Sequence, residues 1–546
     1  MRIAADLKMY WRFARGLRGF LSHTISLDEA RDIVRRRMAE REKNFLRLIE
    51  RGVFAYRGSP YSLLLKLAGC EMGDLESMVR GRGLEKTLHK LREAGVYVTF
   101  EEFKGREPIV RHGHVIPVRA RDFDNPYLSH YYQTETGATT GGGSRVGTDL
   151  DHLADRAPNM MLARDAQGTL GVPEAVCRGI LPEGSAVNNI LVGARMGNVT
   201  EKWFSPVMDR DLRPALKYRL ATRYIITVGR LLGVPIPWPE QVRLDQVAVI
   251  ARWAAETLRV HGACFISASA SMALRICLAA REEGLDLTGA VFSGGGEPPT
   301  PAKVRPVHQV GARCFPSYFS AEVGPLGMSC ARPLDENDQH LFKDAVALIQ
   351  HPHLLGGTGI SVDAFCFTTL LPTAPKLMLN VESDDYGLIE TRSCGCALET
   401  YGFTDHLRQI RSFSKLTSEG ITLVGSEMIR ILDEVLPAKF GGSPLDYQLA
   451  EEEDEQGFTR VNLLVSQKIK IADEAAIIET VQEALGKSSV AADWARAIWC
   501  QANTLRVKRM DPVWTARGKL MPLHLTARSQ RAADVSTGAV VSAHKK

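Results

Sequence analysis

From about residue 126 to residue 410, short apolar runs alternate with helical stretches, and this alternation constrains the fold more than any other feature of the chain. Asn189-Ile-Leu-Val192, Ala263-Cys-Phe-Ile266 and Ala290-Val-Phe292 read as buried strands, and Ser271 to Glu283 as one of the helices between them. Strands apolar on both faces need cover on both sides, so the pattern predicts an α/β architecture of helix-covered sheets. Residues 1 to about 125 read as mostly helical: Asp28-Glu-Ala-Arg-Asp-Ile-Val opens a charged, periodic segment reaching Arg51, and Ser59-Pro60 breaks it. From 412 to 526 a smaller α+β unit is expected. Ser426 caps a helix with Met428, Ile431, Leu432 and Val435 on one face, and Pro437 ends it. Tyr447–Ala450 and Val461–Val465 form a hairpin about a solvated acidic turn, Glu451 to Gly457, and Ile477, Val481 and Leu485 line a further helix. The basic, polar tail 527–546 is expected to be disordered. No internal repeat is visible.

Length and composition exclude several classes. The 546 residues allow two or three domains with full cores. With 45% apolar and 24% charged residues, the chain is an ordinary globular one, and a net charge of +5 gives no case for nucleic acid. Ten scattered cysteines are unlike the dense framework of a small secreted domain. No apolar run approaches the ~18 residues of a membrane span. Met1 to Leu21 mixes Lys8, Arg12, Arg15 and Arg18 with Tyr10, Trp11, Phe13 and Phe20, without the apolar core of a signal peptide. A helix packed on its own domain is expected there, with a membrane-surface helix as the alternative. The expected compartment is the cytoplasm.

Five places carry chemistry. Thr136-Gly-Ala-Thr-Thr-Gly-Gly-Gly-Ser144 follows the β-prone run His130 to Thr134 and offers consecutive backbone N–H groups and hydroxyls, a concavity suited to phosphate oxygens. It lacks the Gly-Lys-Ser/Thr ending of a Walker A loop. Phe292-Ser-Gly-Gly-Gly-Glu-Pro-Pro299 is a strand running into a turn against which a flat ring can lie. In Tyr318-Phe-Ser-Ala-Glu-Val-Gly-Pro325, Tyr318 offers an aromatic face and Glu322 a carboxylate suited to a divalent cation. Asn380-Val-Glu-Ser-Asp-Asp-Tyr386 places carboxylates where both hydroxyls of a ribose could be held. Thr515-Ala-Arg-Gly-Lys-Leu-Met-Pro522 puts a lysine on a glycine turn, able to meet developing negative charge. Each alone has a plain structural reading: a core tyrosine, a surface carboxylate, an acidic or a basic turn. Separately, Cys394-Gly-Cys396 with Cys330 and His340 makes three thiols and an imidazole, the donor set of a closed structural zinc site, or else ordinary buried thiols and a surface histidine.

In this order and spacing, from roughly Ser59 to Pro522, the motifs resemble the adenylate-forming superfamily of acyl-CoA synthetases and related ligases. The nearest likeness is to its phenylacetate–CoA ligase branch, which includes the acyl-protein synthetases. The resemblance implies a helical region (1–125) belonging to a large adenylation domain (126–411), and a small mobile C-terminal lid domain (412–526). It implies that Thr136, Gly137, Thr139, Thr140, Gly141 and Ser144 hold ATP phosphates and that Gly295, Gly296 and Glu297 form the turn beside adenine. Tyr318 would stack on adenine, Glu322 would hold Mg2+, and Asp385, nine residues before Cys394, would bind ribose. Lys519 would be the catalytic lysine bridging carboxylate and α-phosphate, and Lys415 the hinge. The branch often carries a Cys…His pair and a Cys-x-Cys element, which adds weight to zinc at Cys330, His340, Cys394 and Cys396. Departures stand beside these matches. Ala138 replaces a loop glycine, and Gly143-Ser144 replaces Pro-Lys or Pro-Thr. Phe413 stands where an arginine usually touches the ribose, so Arg411 is the candidate to compensate. Ser320-Ala321 shifts a hydroxyl by one place.

The activity implied is ATP-dependent activation of a carboxylic acid to acyl-AMP with release of pyrophosphate, then transfer to a thiol, coenzyme A first. A carrier protein or an amine is the alternative acceptor, and a nucleotide-binding partner subunit without turnover is the alternative from another class. The partners expected are a small carboxylic acid and ATP, with a homodimer allowed and neither nucleic acid nor a membrane span. The acid pocket is expected between Asn188 and Ser271, with Trp203 and Phe265 as candidate lining residues.

Overall fold

The computed structural model describes residues 2–128, 131–135, 145–208, 216–354, 361–412, 415–418, 421–424, 430–486, 490–514, 520 and 523–525. The glycine-rich segment Thr136 to Ser144, expected to hold phosphates, and Phe413, Ser426, Met428, Lys519 and the tail 527–546 lie outside them.

Among the described residues the largest sheet has twelve strands. In spatial order these are Val346–Leu354, Ser361–Thr369, Val381–Thr391, Asp405–Ser412, Gln339–Leu341, Gly324–Met328, Arg313–Ser320, Ala290–Gly295, Cys264–Ala268, Glu174–Cys177, Thr200–Ser205 and Pro239–Gln241. From Arg313–Ser320 to Pro239–Gln241 every neighbouring pair is parallel. On the other side of Arg313–Ser320 every pair is antiparallel. One strand therefore joins two kinds of sheet. The central parallel strands are buried on both faces, as is every residue of Cys264–Ala268, because helices such as Ala248–His261 and Ala270–Glu282 cover them.

The basic aromatic helix Arg2–Leu21 buries Phe13, Leu17 and Phe20. Phe13 meets Tyr132 edge-on at 4.9 Å, so this helix packs on its own molecule. No helix among the described residues is long and apolar enough to cross a membrane. Tyr131–Glu135 and Arg145–Asp149 form an antiparallel hairpin whose connection is the hydroxyl-rich glycine segment.

Three local expectations are corrected. Asn189–Val192 is helical, within Ser185–Arg195; a four-residue apolar run is equally compatible with a buried helix turn, and length decides between them. Pro437 does not end its helix. The helical run passes from the wider turn Ile431–Val435 straight into Leu436–Phe440 with Pro437 inside it, and Gly441 at φ +83° makes the stop. The acidic run is only partly a turn, since Glu451 to Glu453 extend the strand Tyr447–Glu453, paired with Thr459–Val465.

That hairpin belongs to a second sheet of four strands, with Leu505–Arg509 and Leu523–Leu525 at its edges. Its unit packs on the large sheet through Thr300 Oγ1, which donates to Glu453 Oε2 at 2.6 Å, and through Gln501 Nε2, which donates to the Pro206 carbonyl at 3.1 Å. Trp494 closes over Gly179. A Cβ at that glycine would fall 2.6 Å from the indole nitrogen, so only glycine admits the ring.

Candidate functional site

Open α/β sheets bind ligands outside the carboxyl ends of their parallel strands, where the chain turns away and leaves backbone exposed. Here those ends meet in a cavity of about 680 Å³. Its wall takes Cys177 and Arg178 from one strand end, Ser267 and Ser269 from the next, and Ser293, Gly295 and Gly296 from the third. Ser317 to Glu322 come from the strand at the parallel–antiparallel switch. Gly295 is required by crowding: a Cβ there would lie 2.6 Å from Ser317 Oγ. Gly296 is required by conformation, with φ at +88°.

Tyr318, Glu322 and Asp385 reach the same cavity from three places in the sequence. The Tyr318 hydroxyl donates to Asp385 Oδ2 at 2.7 Å, and its ring packs on Phe367 with centroids 6.2 Å apart. Burial, and then the Asp385 charge, push the Tyr318 phenol well above its ordinary range, so it remains a donor. Glu322 receives Lys104 Nζ at 2.9 Å on one oxygen and Ser320 Oγ at 2.8 Å on the other. Burial opposes its charge, but the Lys104 ammonium and the Ser320 hydroxyl outweigh it and hold the carboxyl at about 2. The carboxylate chemistry suits a hard cation. A cation bound there has to share Glu322 with Lys104 or displace it.

Two residues named from sequence stand elsewhere. Glu297 does not line the cavity. Its carboxylate accepts Ser271 N at 2.8 Å and Ser271 Oγ at 2.9 Å, and forms a buried ion pair with Lys303 Nζ at 2.8 Å. Lys303 Nζ also donates to Thr459 of the C-terminal unit at 3.1 Å, so this pair stands at the junction of the two units. Arg411 pairs across the sheet with Tyr386 and faces the charge of Glu451, outside the cavity wall. Lys415 opens the strand Lys415–Ser418. An isolated bridge between Trp514 and Leu520 flanks the segment that contains Lys519. Of the two pocket candidates, Phe265 lines the cavity, whereas Trp203 is buried behind it with its indole N–H on the Arg178 carbonyl at 3.0 Å.

Sequence reasoning missed Lys104, Arg156, Arg178, Glu183 and Trp494, all of which line the cavity. None lies in a motif. Only their burial distinguishes them from surface charges or core aromatics.

Cys330, His340, Cys394 and Cys396 come together with their ligand atoms within 4.8 Å of one another. Zinc–sulfur bonds of about 2.3 Å and a zinc–nitrogen bond of about 2.0 Å at tetrahedral angles imply ligand separations of about 3.8 Å between sulfurs and about 3.5 Å between sulfur and nitrogen. Cys330 and Cys394 sulfurs are 3.8 Å apart, and His340 Nε2 is 3.6 Å from Cys394 Sγ and 3.3 Å from Cys396 Sγ. The residues therefore fit a tetrahedral ion. His340 Nδ1 meets the Phe403 carbonyl at 2.6 Å, which turns Nε2 toward the thiols. Glu399 accepts the backbone N–H groups of Cys394 and Gly395 and fixes the Cys-Gly-Cys turn.

No family model matches the sequence, and no curated protein is similar to it in sequence. The fold does have counterparts. A crystal structure of 2-hydroxyisobutyryl-CoA ligase in complex with 2-HIB-AMP and CoA in the thioesterification state matches with TM-score 0.55 and 16% identity, over 92% of this chain and 93% of that one. The same ligase in the post-adenylation state with R3-HIB-AMP gives 0.43 and 15%, over 92% and 93%. A malonyl-CoA ligase ternary product complex with methylmalonyl-CoA and AMP gives 0.41 and 14%, over 70% and 71%. On the first of these matches, the chain has the fold of the adenylate-forming acyl-CoA ligases.

Proposed function

We propose that this chain, built on the fold of the adenylate-forming ligases, activates a carboxylic acid with ATP and passes the acyl group to a thiol, coenzyme A first. The observation that carries this reading is convergence: Gly295, Gly296, Tyr318, Glu322 and Asp385, distant in sequence, line one cavity at the ends of parallel strands. The Cys/His cluster supports a phenylacetate–CoA ligase-like branch of that fold.

In the proposed reaction the acid's carboxylate attacks the α-phosphorus of ATP, a phosphorus–oxygen bond forms, and pyrophosphate leaves with its electron pair. No protein nucleophile is needed. Gly295 and Gly296 let the adenine lie flat on backbone, and Asp385 exchanges its bond with Tyr318 for the ribose hydroxyls, freeing the Tyr318 ring to stack. Thr136, Thr139, Thr140 and Ser144 cradle phosphate oxygens. Glu322 holds magnesium, which when bound supplies positive charge to the phosphates. Lys519 bridges carboxylate and α-phosphate. The small unit beyond about residue 412 turns about Lys415 between the two half-reactions. Cys330, His340, Cys394 and Cys396 would hold a structural zinc that ties the segment after the strand Gly324–Met328 to the segment after the strand Val381–Thr391.

The test is exchange of labelled pyrophosphate into ATP across a panel of carboxylic acids. Acid-dependent exchange is expected, and ATP binding without exchange for any acid sinks the reading. Separate supply of coenzyme A, carrier protein and amines to the active acid then identifies the acceptor. Lys519→Ala should suppress adenylation far more than thioester formation from preformed acyl-AMP; equal loss in both half-reactions removes its assigned role.

A further inference from the structure

The helix Leu150–Gln167 presents Arg156, Met160 and Arg164 to the cavity, residues spaced four apart and so on one face. The two arginines differ completely in their surroundings. Arg164 is saturated: it donates to Glu174 Oε2 at 2.9 Å and to Thr169, and its guanidinium lies 3.4 Å from the Phe265 ring centroid. Arg156, only 4% exposed, makes no hydrogen bond or ion pair among the described residues, and its buried Nε has no acceptor. Its guanidinium lies over the face of Phe319, 4.6 Å from the ring centroid, and its Cδ packs beside Gly324.

The neighbouring groups do not neutralise it. Asp155, next in sequence, is taken by Arg37 at 2.7 Å and by Thr373 at 2.6 Å. His152, one turn earlier, is held neutral by burial and by the charges of Arg156 and Arg37. Tyr132, whose hydroxyl donates to Asn188 at 2.5 Å, is a phenol pushed up by burial. Burial lowers the guanidinium only to about 10, so it stays charged at neutral pH. A buried cation without a counter-charge is costly, and such groups persist where a ligand completes them.

We propose that Arg156 is the anchor for a second anionic group on the acid substrate, so that the class activated is a carboxylic acid bearing a further carboxylate, phosphonate or phosphate. This assignment rests on the acid-activating reading above. The acid is favoured over the nucleotide because Tyr318 faces Phe367 and Asp385, whereas Arg156 lies against Phe319, beside the helix that carries Asn188. Phe319 is 44% exposed and Arg156 sits on its face, so a planar carboxylate meeting the guanidinium there is backed by an aromatic wall. Asn188 and Ser185 supply further polar lining, and Met160, Val192 and Phe265 the apolar span between the ends.

The experiment measures binding and exchange separately, with α,ω-dicarboxylic acids from malonate to sebacate, their monomethyl esters, and the matching phosphonocarboxylates. Calorimetric titration of the full chain should show at least one diacid or phosphonocarboxylate preferred over its half-ester by about tenfold to a hundredfold, the range of one charged hydrogen-bonded contact. Arg156→Met should abolish that preference while leaving ATP affinity within about twofold. Because an unpaired charge is removed, it should also melt no lower than the parent; Arg156→Lys, which keeps the charge, should retain part of the preference. Equal binding of diacid and half-ester across the panel overturns the assignment. So does an equal loss of ATP or pyrophosphate affinity in Arg156→Met, which would make the phosphate chain its ligand. If diacids bind through Arg156 yet none supports pyrophosphate exchange, the anion site stands and the acid-activating reading fails. If half-esters exchange better than diacids, activation stands and the Arg156 assignment fails.

Discussion

Lys104→Met isolates the contact that most alters expectations for this cavity. Lys104 Nζ and Glu322 Oε1 are 2.9 Å apart, with side chains only 17% and 13% exposed, so solvent screens the pair little. The Glu322 carboxyl lies at about 2 against an ordinary 4.5. At 1.36 kcal/mol per pH unit that lowering corresponds to about 3 kcal/mol of stability. Because the folded value is depressed, the contribution is complete above about pH 4.5 and is lost as pH falls toward 2. In Lys104→Met the carboxylate stays buried without its cation, so its protonation should move above the ordinary carboxylate range; the folded state then binds the proton more tightly than the unfolded one, so the variant should gain stability as pH falls toward 4.5 and lack the Glu322-linked loss that wild type shows between about 4.5 and 2. Denaturant unfolding at a series of pH values, for wild type, Lys104→Met, Glu322→Gln and the double variant, reads this directly. A coupling of about 2–3 kcal/mol near pH 7 is expected, shrinking as the pH is lowered. A coupling below about 0.5 kcal/mol, or an acid limb identical in wild type and Lys104→Met, refutes the reasoning. The same variant tests cation sharing, since magnesium should bind Lys104→Met more tightly once the ammonium is gone.

Three further outcomes are expected. Metal analysis should find about one zinc per chain in the parent and little in Cys394→Ser/Cys396→Ser, and a chelator should lower the melting temperature of the parent only; no zinc in either protein removes the metal assignment. Lys303→Met leaves Glu297 buried beside Ser271 without its cation, and should destabilise the fold by about 3–5 kcal/mol; an unchanged unfolding midpoint would contradict the buried pairing. Gly179→Ala drives a Cβ into Trp494, so it should loosen the C-terminal unit and speed limited proteolysis between the units, while the far-ultraviolet spectrum stays that of the parent.

What the sequence makes legible is the chemistry that depends on residue type and order. Cys394-Gly-Cys396, Cys330 and His340 could be named together because thiol and imidazole donors are scarce, and the fold does bring them together. Tyr318 and Asp385 were separable from the background by their motif spacing, and they meet across the cavity. Glu297 was not, since its motif says only that a carboxylate follows glycines. Which way it turns is decided by Lys303, six residues on, and by Thr459, contributed from the other unit. Lys104 and Arg156 carry no signal at all, because a lysine in a helical stretch and an arginine after Asp155 look like solvated charges until burial is known. Asn189–Val192 shows the same limit at the level of secondary structure: four apolar residues fix burial and leave the backbone period open.

The strand Arg313–Ser320 pairs in parallel with Ala290–Gly295 and antiparallel with Gly324–Met328, and its end contributes both Tyr318 and Phe319. A shift of that strand therefore displaces the Tyr318–Asp385 side and the Arg156–Phe319 side together. Neither can be retuned through it without disturbing the other. The helices Leu150–Gln167 and Ser185–Arg195 reach the cavity without belonging to that strand, and side chains such as Met160, Asn188 and Val192 line it from them. If the proposed acid site is correct, a change of acid is made most directly at the cavity-facing side chains of these two helices, with the switch strand as the frame they are fitted to.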